Sequence, residues 1–423
     1  MTDIEHFDPL ADEVLQSPWA SYASIRREQP VMYLDGGRVG RPGEDVYCVS
    51  RYDDVRRVLV DPTTFSSRAA IPMSRPSKEV RAQLREIVAE GWPEVSTLLT
   101  EDPPSHTRYR SLVSKAFTPK RLSETEPRLR EICEELVAGF DRQPVVDFMA
   151  HYAVPIPVRA VAEVLEVPDT RQADFKRWAD QSVSAIGRDV SDEQRIQAQR
   201  AIVEQQHYFA GEIEARREHP RDDFLSDLLH ARLTNDDDVE GEPLSMPEML
   251  SIIRQIQVAG SETTASLLAE LMVFMSDHPD QWEMVKQDPS RIPAVIEEAL
   301  RLASPNQGLF RMATVDASVG GVAIPAGSTL WVMFGSANRD EDVFAAAEEF
   351  SIDRTDHAAH LAFGKGPHYC LGAALARLEA RVALEVLANN VDTISLGDDP
   401  DLRYAPSYVL RGLEQLDVQF TYR

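Results

Sequence analysis

The chain has 423 residues, of which 70 are acidic and 44 basic, for a formal net charge of −26, and 43% are hydrophobic. So acidic a surface repels phosphate backbones and anionic membranes, which excludes nucleic acid and membrane surfaces as general partners. No basic start followed by an apolar stretch opens the chain and no apolar run reaches membrane-spanning length. Three scattered cysteines are also too few for a disulfide framework or a cysteine-rich metal site, so a reducing cytoplasm is the expected compartment.

Alternating apolar residues predict short strands at residues 46–50 and 329–334 and at the end, where Leu416, Val418 and Phe420 alternate with polar neighbours. Apolar residues at three- and four-residue spacing predict helices over 123–140, 193–217, 245–277, 292–303 and 371–389. The fold class is mostly α with a minor β region. The acidic stretch 234–243, with Gly and Pro, predicts a solvated loop between helices, because composition does not shift across it. With no repeat and no low-complexity tract, a single domain over 1–423 is expected, with a smaller β-containing part over about 1–100 and a helical part over about 101–423.

Four segments carry residues suited to chemistry. In the run from Asp102 to Arg110, His106 and Arg110 stand four apart and so share one helical face. The helix over 245–277 opens with Ser245 at the cap, Pro247 in the first turn and Glu248 three residues on, a strong helix start. Inside it lies Ala259-Gly260-Ser261-Glu262-Thr263-Thr264, and a mid-helix glycine costs about 1 kcal/mol relative to alanine. Something should offset that cost: the missing side chain leaves a notch where a ligand could lie, and the hydroxyls can bond locally and bend the backbone. Glu298 and Arg301, three apart, also share a helical face, where an exposed ion pair is the ordinary reading. Finally, glycines at 364, 366 and 372 surround Cys370 just before an apolar-periodic helix. There the helix dipole and backbone N–H groups would lower the thiol pKa and stabilise a thiolate. A thiolate is a strongly donating iron ligand. Cys48 and Cys133 have no such setting and read as buried core residues.

Phe363, Gly364, Gly366, His368, Cys370 and Gly372 in register resemble the haem-binding signature of the cytochrome P-450 family, and Ala259-Gly260-x-Glu262-Thr263 resembles that family's distal-helix motif. With the run from Asp102 to Pro119 and Arg411-Gly412-Leu413, the resemblance covers most of the chain. It implies a single-domain P-450 fold with haem b between the long distal helix and the cysteine-loop helix. Cys370 would be the axial iron ligand and Phe363 would pack beside its sulfur, with Gly364 and Gly372 framing the loop. Ala259 and Gly260 would face the distal side, Glu262 would supply protons, and Thr263 would hold O2 and the delivered proton. His106, Arg110, Arg311 and His368 would meet the haem propionates. Glu298, Arg301 and Arg354 resemble the family's structural acid-arginine-arginine lock.

The activity so implied is hydroxylation of a small hydrophobic substrate with O2 and two electrons. No glycine fingerprint for flavin or nicotinamide follows a strand, so the electrons come from a separate iron-sulfur ferredoxin with its reductase. Lys365, Arg377, Lys115 and Lys120 are its expected docking cations. By family position, substrate contacts fall between Met73 and Leu99, between Val183 and Ile186, and at Gln255, Val258, Ala259, Gln307, Leu309, Val409 and Leu410. A peroxide-driven peroxygenase and a non-catalytic haem ligand-binding or sensor protein are the rival readings. A monomer is expected.

Overall fold

The computed structural model describes residues 4, 7–39, 41–69, 76–233 and 242–423. Its main sheet has five strands: β1 (Val31–Asp35), β2 (Asp45–Val49), β3 (Phe65–Ser66), β4 (Leu309–Ala313) and β5 (Thr329–Val332). Their order is β1-β2-β5-β4-β3, with β2 and β5 parallel and the other pairs antiparallel. The strands expected separately at 46–50 and 329–334 thus lie side by side, with Cys48 opposite Trp331. The β-rich start of the chain is in this way stitched to the segment after residue 300. A second sheet orders Val391–Ser395, Asp417–Tyr422 and Val145–Asp147, and turns Val418 and Phe420 inward.

The helices that position the site are α1 (Tyr52–Val60), α2 (Ser105–Val113), α3 (Pro119–Ala138), α4 (Pro155–Val164), α5 (Gln172–Val183), α6 (Asp192–Glu218), α7 (Met246–Asp277), α8 (Ile292–Ala303) and α9 (Ala373–Asn390). α7 starts where its sequence says it should: the Ser245 hydroxyl accepts the Glu248 N–H, and the Glu248 carboxylate accepts the Ser245 N–H at 2.7 Å. Every residue from Thr264 to Val273 is buried, so this half of α7 is packed on all sides, as befits a helix through the middle of a core. Leu267, Leu271, Ile296, Leu300, Val382, Leu384 and their neighbours join α7, α8 and α9 to α3 in one cluster. Full burial of each such side chain stabilises by about 1.5–3 kcal/mol.

In the stretch 234–243, residues 234–241 lie outside those described. Glu242–Pro243 pairs with Arg232–Leu233, so the expected open loop is flanked by a short ribbon. No helix among the described residues is long and apolar enough to cross a membrane.

The structure brings Glu298, Arg301 and Arg354 together around a buried carboxylate, where an exposed pair was the ordinary reading. The Arg301 guanidinium donates to both Glu298 oxygens at 2.8 Å and to the carbonyls of Asn338, Ala347 and Glu349. Arg354 Nε donates to Glu298 Oε1 at 3.0 Å, and its other nitrogens reach the Ala345 and Ala346 carbonyls. One buried carboxylate and two guanidiniums therefore clamp the irregular chain at 338–354. Asn338 extends the clamp toward the cysteine loop by accepting the Leu361 N–H at 2.6 Å.

Candidate haem site

The loop before α9 curls around Cys370. Its N–H donates to the Phe363 carbonyl at 2.9 Å, the Gly364 N–H donates to Leu361, and Gly372 is the cap residue of α9. Gly364 and Gly366 have φ of +68° and +74°, a region open to glycine and strained for other residues. A Cβ at 366 would stand 2.6 Å from the Leu59 carbonyl oxygen, so this glycine admits the end of α1 and not a flat ligand. The Arg377 guanidinium lies 4.5 Å over the Phe363 ring. Burial pushes the Cys370 thiol above its usual range, and the Gly372 and Ala373 N–H groups with Arg110 and Arg377 pull it only partly back. The dipole-driven lowering expected from sequence is outweighed by desolvation. A metal ion is what would displace the proton here, since coordination deprotonates a thiol outright.

On α7, Thr263 Oγ1 donates to the Ala259 carbonyl at 2.8 Å, and Ser261 and Ser266 bond back in the same way to Gln257 and Glu262. Ala259 is exposed while its neighbours Gln257 and Ser261 are buried, so the open side of the helix lies along 259 and 263. The glycine notch belongs elsewhere. A Cβ on Gly260 would meet Val161 Cγ2 at 2.7 Å, so the missing side chain makes room for α4. That corrects the expectation that Gly260 clears space for a ligand. Glu262 turns toward the loop after α5, with Arg188 Nη2 at 3.8 Å from its Oε1. Burial raises its carboxyl above the usual range, and Arg188 lowers it in part.

A cluster of donors stands between α2, β4 and the cysteine loop. The His106 and His368 ring centroids are 4.0 Å apart, and His106 Nδ1 and His368 Nε2 are buried with no partner among the described residues. Arg311 is 4% exposed and donates to the Phe310 carbonyl, and burial brings it down to about 10. His368 is held down at about 3 by burial first, then by His106, Arg311 and Arg110. The nearby Asp102 is spent on the Ser66 hydroxyl at 2.5 Å and the Ser67 N–H at 2.8 Å. Buried donors without acceptors are costly, and these would be satisfied by an anion carrying several oxygens. Two propionates supply that, so the residues present fit a haem. Among the described residues no group of three or more His, Cys, Asp or Glu side chains could hold a metal ion by itself.

Of the expected substrate contacts, Val258, Val409 and Leu410 meet Val183, Ile186, Phe310 and Met312 in one apolar group. Leu309 packs separately, on the Arg311 face of β4. The two glutamines are corrections. Gln255 Oε1 accepts the Leu99 N–H at 3.2 Å and fastens that segment to α7. Gln307 is 2% exposed, with its amide donating to the Ala303 and Ser304 carbonyls. Met73 lies outside the described residues.

Two site residues escaped the sequence reading. Arg188 sits in a loop with no pattern to betray it. Glu379 had a signal: an acid four residues after Leu375, on the apolar face of α9. It is 1% exposed, accepts a hydrogen bond from Thr264 of α7, and leaves Oε2 without a partner. Burial raises its carboxyl from 4.5 to about 8. Between those values the folded chain holds a proton that the unfolded chain has lost, so Glu379 contributes stability that is full below 4.5 and lost as pH rises toward 8. Glu379→Gln is therefore expected to flatten the decline, read as urea midpoints at about pH 5 and about pH 8. A gap between variant and parent that does not widen with pH contradicts this.

A long helix lying over a cysteine loop, with two unpaired imidazoles and two arginines beside it, is an architecture suited to a haem enzyme. The family model for cytochrome P-450 matches residues 158–410. Cytochrome P-450 107B1 of Saccharopolyspora erythraea is 36% identical, covering 99% of both chains, and the vitamin D(3) 25-hydroxylase of Pseudonocardia autotrophica is 35% identical, covering 99% of this chain and 97% of its own. The solved structure of cytochrome P-450 CYP109Q5 from Chondromyces apiculatus matches with a TM-score of 0.84 at 37% identity, covering 100% of both chains. The chain belongs to the cytochrome P-450 family. It has that family's fold, binds haem b, and is a monooxygenase that uses O2 on a hydrophobic substrate.

Proposed function

We propose that Cys370 is the axial ligand of the haem iron, that Glu262 and Thr263 manage its protons, and that the chain hydroxylates a small hydrophobic molecule with electrons from a separate ferredoxin. The observation that carries this reading is that His106 Nδ1 and His368 Nε2 are buried without a partner among the described residues, with Arg311, itself buried, and Arg110 alongside, next to the only cysteine of the three that is not fully buried. Haem on a thiolate supplies O2 activation and insertion of one oxygen atom into a C–H bond. The protein supplies position and protons. Thr263 Oγ1 spends its own proton on Ala259, so its lone pairs are free to receive another on the open side of α7. Glu262, raised by burial, holds a proton at its carboxyl near neutrality more readily than an exposed acid does.

The apolar group around Val183, Ile186, Val258, Val409 and Leu410 supports a substrate with little polar surface, and one relative is named for vitamin D(3). For the ferredoxin, Lys365 of the cysteine loop and Lys115 are exposed and form no ion pair among the described residues. Arg377 is less available than the sequence suggested, being held by both Glu297 oxygens at 2.6 and 2.8 Å, and Lys120 stands 3.8 Å from Glu124. A cytoplasmic monomer fits the reduced cysteines and the acidic surface.

Turnover separates this from its rivals. Product from O2 with ferredoxin, reductase and NAD(P)H, and little from hydrogen peroxide alone, is the expected result. Equal product from peroxide would make the chain a peroxygenase, and no product from any reductant would leave a haem ligand-binding protein.

A further inference from the structure

Resting on the reading of the site given above, we propose that Glu297 is a positioning residue for electron entry: it holds the Arg377 guanidinium against the cysteine loop, and their two opposite charges set the potential at which the haem iron takes up its electron. Glu297 comes from α8 and Arg377 from the second turn of α9. The carboxylate accepts Arg377 Nε at 2.6 Å and Nη2 at 2.8 Å, a two-pronged pair that fixes the plane of the guanidinium. Nη1 donates to the Tyr369 hydroxyl at 3.2 Å. Held at three points, the guanidinium lies 4.5 Å over the ring of Phe363, whose carbonyl accepts the Cys370 N–H at 2.9 Å. The cation is thus in contact with the residues on both sides of the cysteine: its sequence neighbour Tyr369 and its hydrogen-bond partner Phe363.

A third segment fastens Glu297. His360 Nδ1 accepts the Ala362 N–H at 3.1 Å, so the ring proton sits on Nε2 and is donated to Glu297 Oε2 at 3.2 Å. Burial raises the Glu297 carboxyl, but the Arg377 and His360 bonds outweigh it and bring it down to about 2, and Glu297 in turn raises Arg377. Both members of the pair therefore stay charged. Glu297 is also the one carboxylate that pairs with Arg377 among the described residues, since the adjacent Glu298 is spent on Arg301 and Arg354.

When one electron passes from reduced ferredoxin to ferric haem, the iron-sulfur cluster is oxidised, the iron is reduced, and the haem site gains one negative charge. Arg377 favours that added charge and Glu297 opposes it. A cation beside the cysteine also draws electron density from the sulfur, and so from the metal it binds.

Potentiometric titration of the haem-loaded protein tests the pair. Glu297→Gln, which leaves Arg377 unanswered, is expected to favour the ferrous state about tenfold, a rise of about 59 mV for a one-electron couple. Arg377→Gln should lower the potential by a similar factor, Arg377→Lys, which keeps the charge, should stay near the parent, and the variant carrying both Gln changes should return toward it. The stretching frequency of carbon monoxide on the reduced protein should rise in Glu297→Gln, where the sulfur donates less, and fall in Arg377→Gln. Damage to the loop would move both single variants in the same direction; that result, loss of haem by both, or no shift in either overturns the proposal. Should one variant alone not take up haem, the sign in the other decides. A parent chain without the thiolate band under carbon monoxide overturns the site reading and this one with it, whereas a parent that has the band and variants that do not move apart overturn this one alone.

Discussion

Glu298→Ala is expected to leave the chain too unstable to hold its fold and its haem. Glu298 is fully buried and accepts hydrogen bonds from Arg301, Arg354 and the Ser351 N–H. Removing it strands the Arg301 guanidinium in the interior and leaves Arg354 only Asp356 as a carboxylate partner, and breaking a buried pair in this way costs about 3–5 kcal/mol. That is a large share of the roughly 5–15 kcal/mol that holds an ordinary domain together. The damage should spread along the chain at 338–354 that Arg301 and Arg354 grip, and so reach the cysteine loop. Haem content and the urea midpoint of the purified variant test this. A variant that keeps both would show that the clamp does not support the loop.

The second large effect is on chemistry. Glu262→Gln keeps shape and acceptor but cannot carry a proton, and product formation should fall by about 10²–10⁴-fold, the usual worth of a positioned general acid. NAD(P)H consumption should fall with it, because proton supply then limits the cycle. Thr263→Ala should behave differently: NAD(P)H is still consumed, but with no hydroxyl to hold the delivered proton, reduced oxygen escapes as hydrogen peroxide and the yield of product per NAD(P)H collapses. Measuring product, peroxide and NAD(P)H together separates the two. If both variants gave wild-type coupling, neither residue would handle protons.

What could be read in the sequence was what is local. The helix at 245–277 announces itself through its cap and periodicity and that at 292–303 through periodicity alone, and the cysteine loop is one contiguous run, so its turn chemistry travels with it. Partners far along the chain were not legible. Gly260 looked like a ligand notch because nothing in its own helix shows that Val161 fills the space, and Gly366 answers in the same way to Leu59. Gln255 and Gln307 looked available because a polar side chain does not disclose that a backbone group has claimed it. The pairing of β2 with β5 unites segments that no local pattern connects. Glu379 could have been found, since an acid on the apolar face of a helix asks for a reason.

The proposed chemistry requires the Cys370 sulfur to reach iron. The absorption spectrum of the haem-loaded protein, reduced under carbon monoxide, tests this most directly for the parent chain and for Cys370→Ser. The parent should show the strongly red-shifted band of a thiolate-bound haem and the variant should lose it. The same band in both, or none in the parent, would contradict the account.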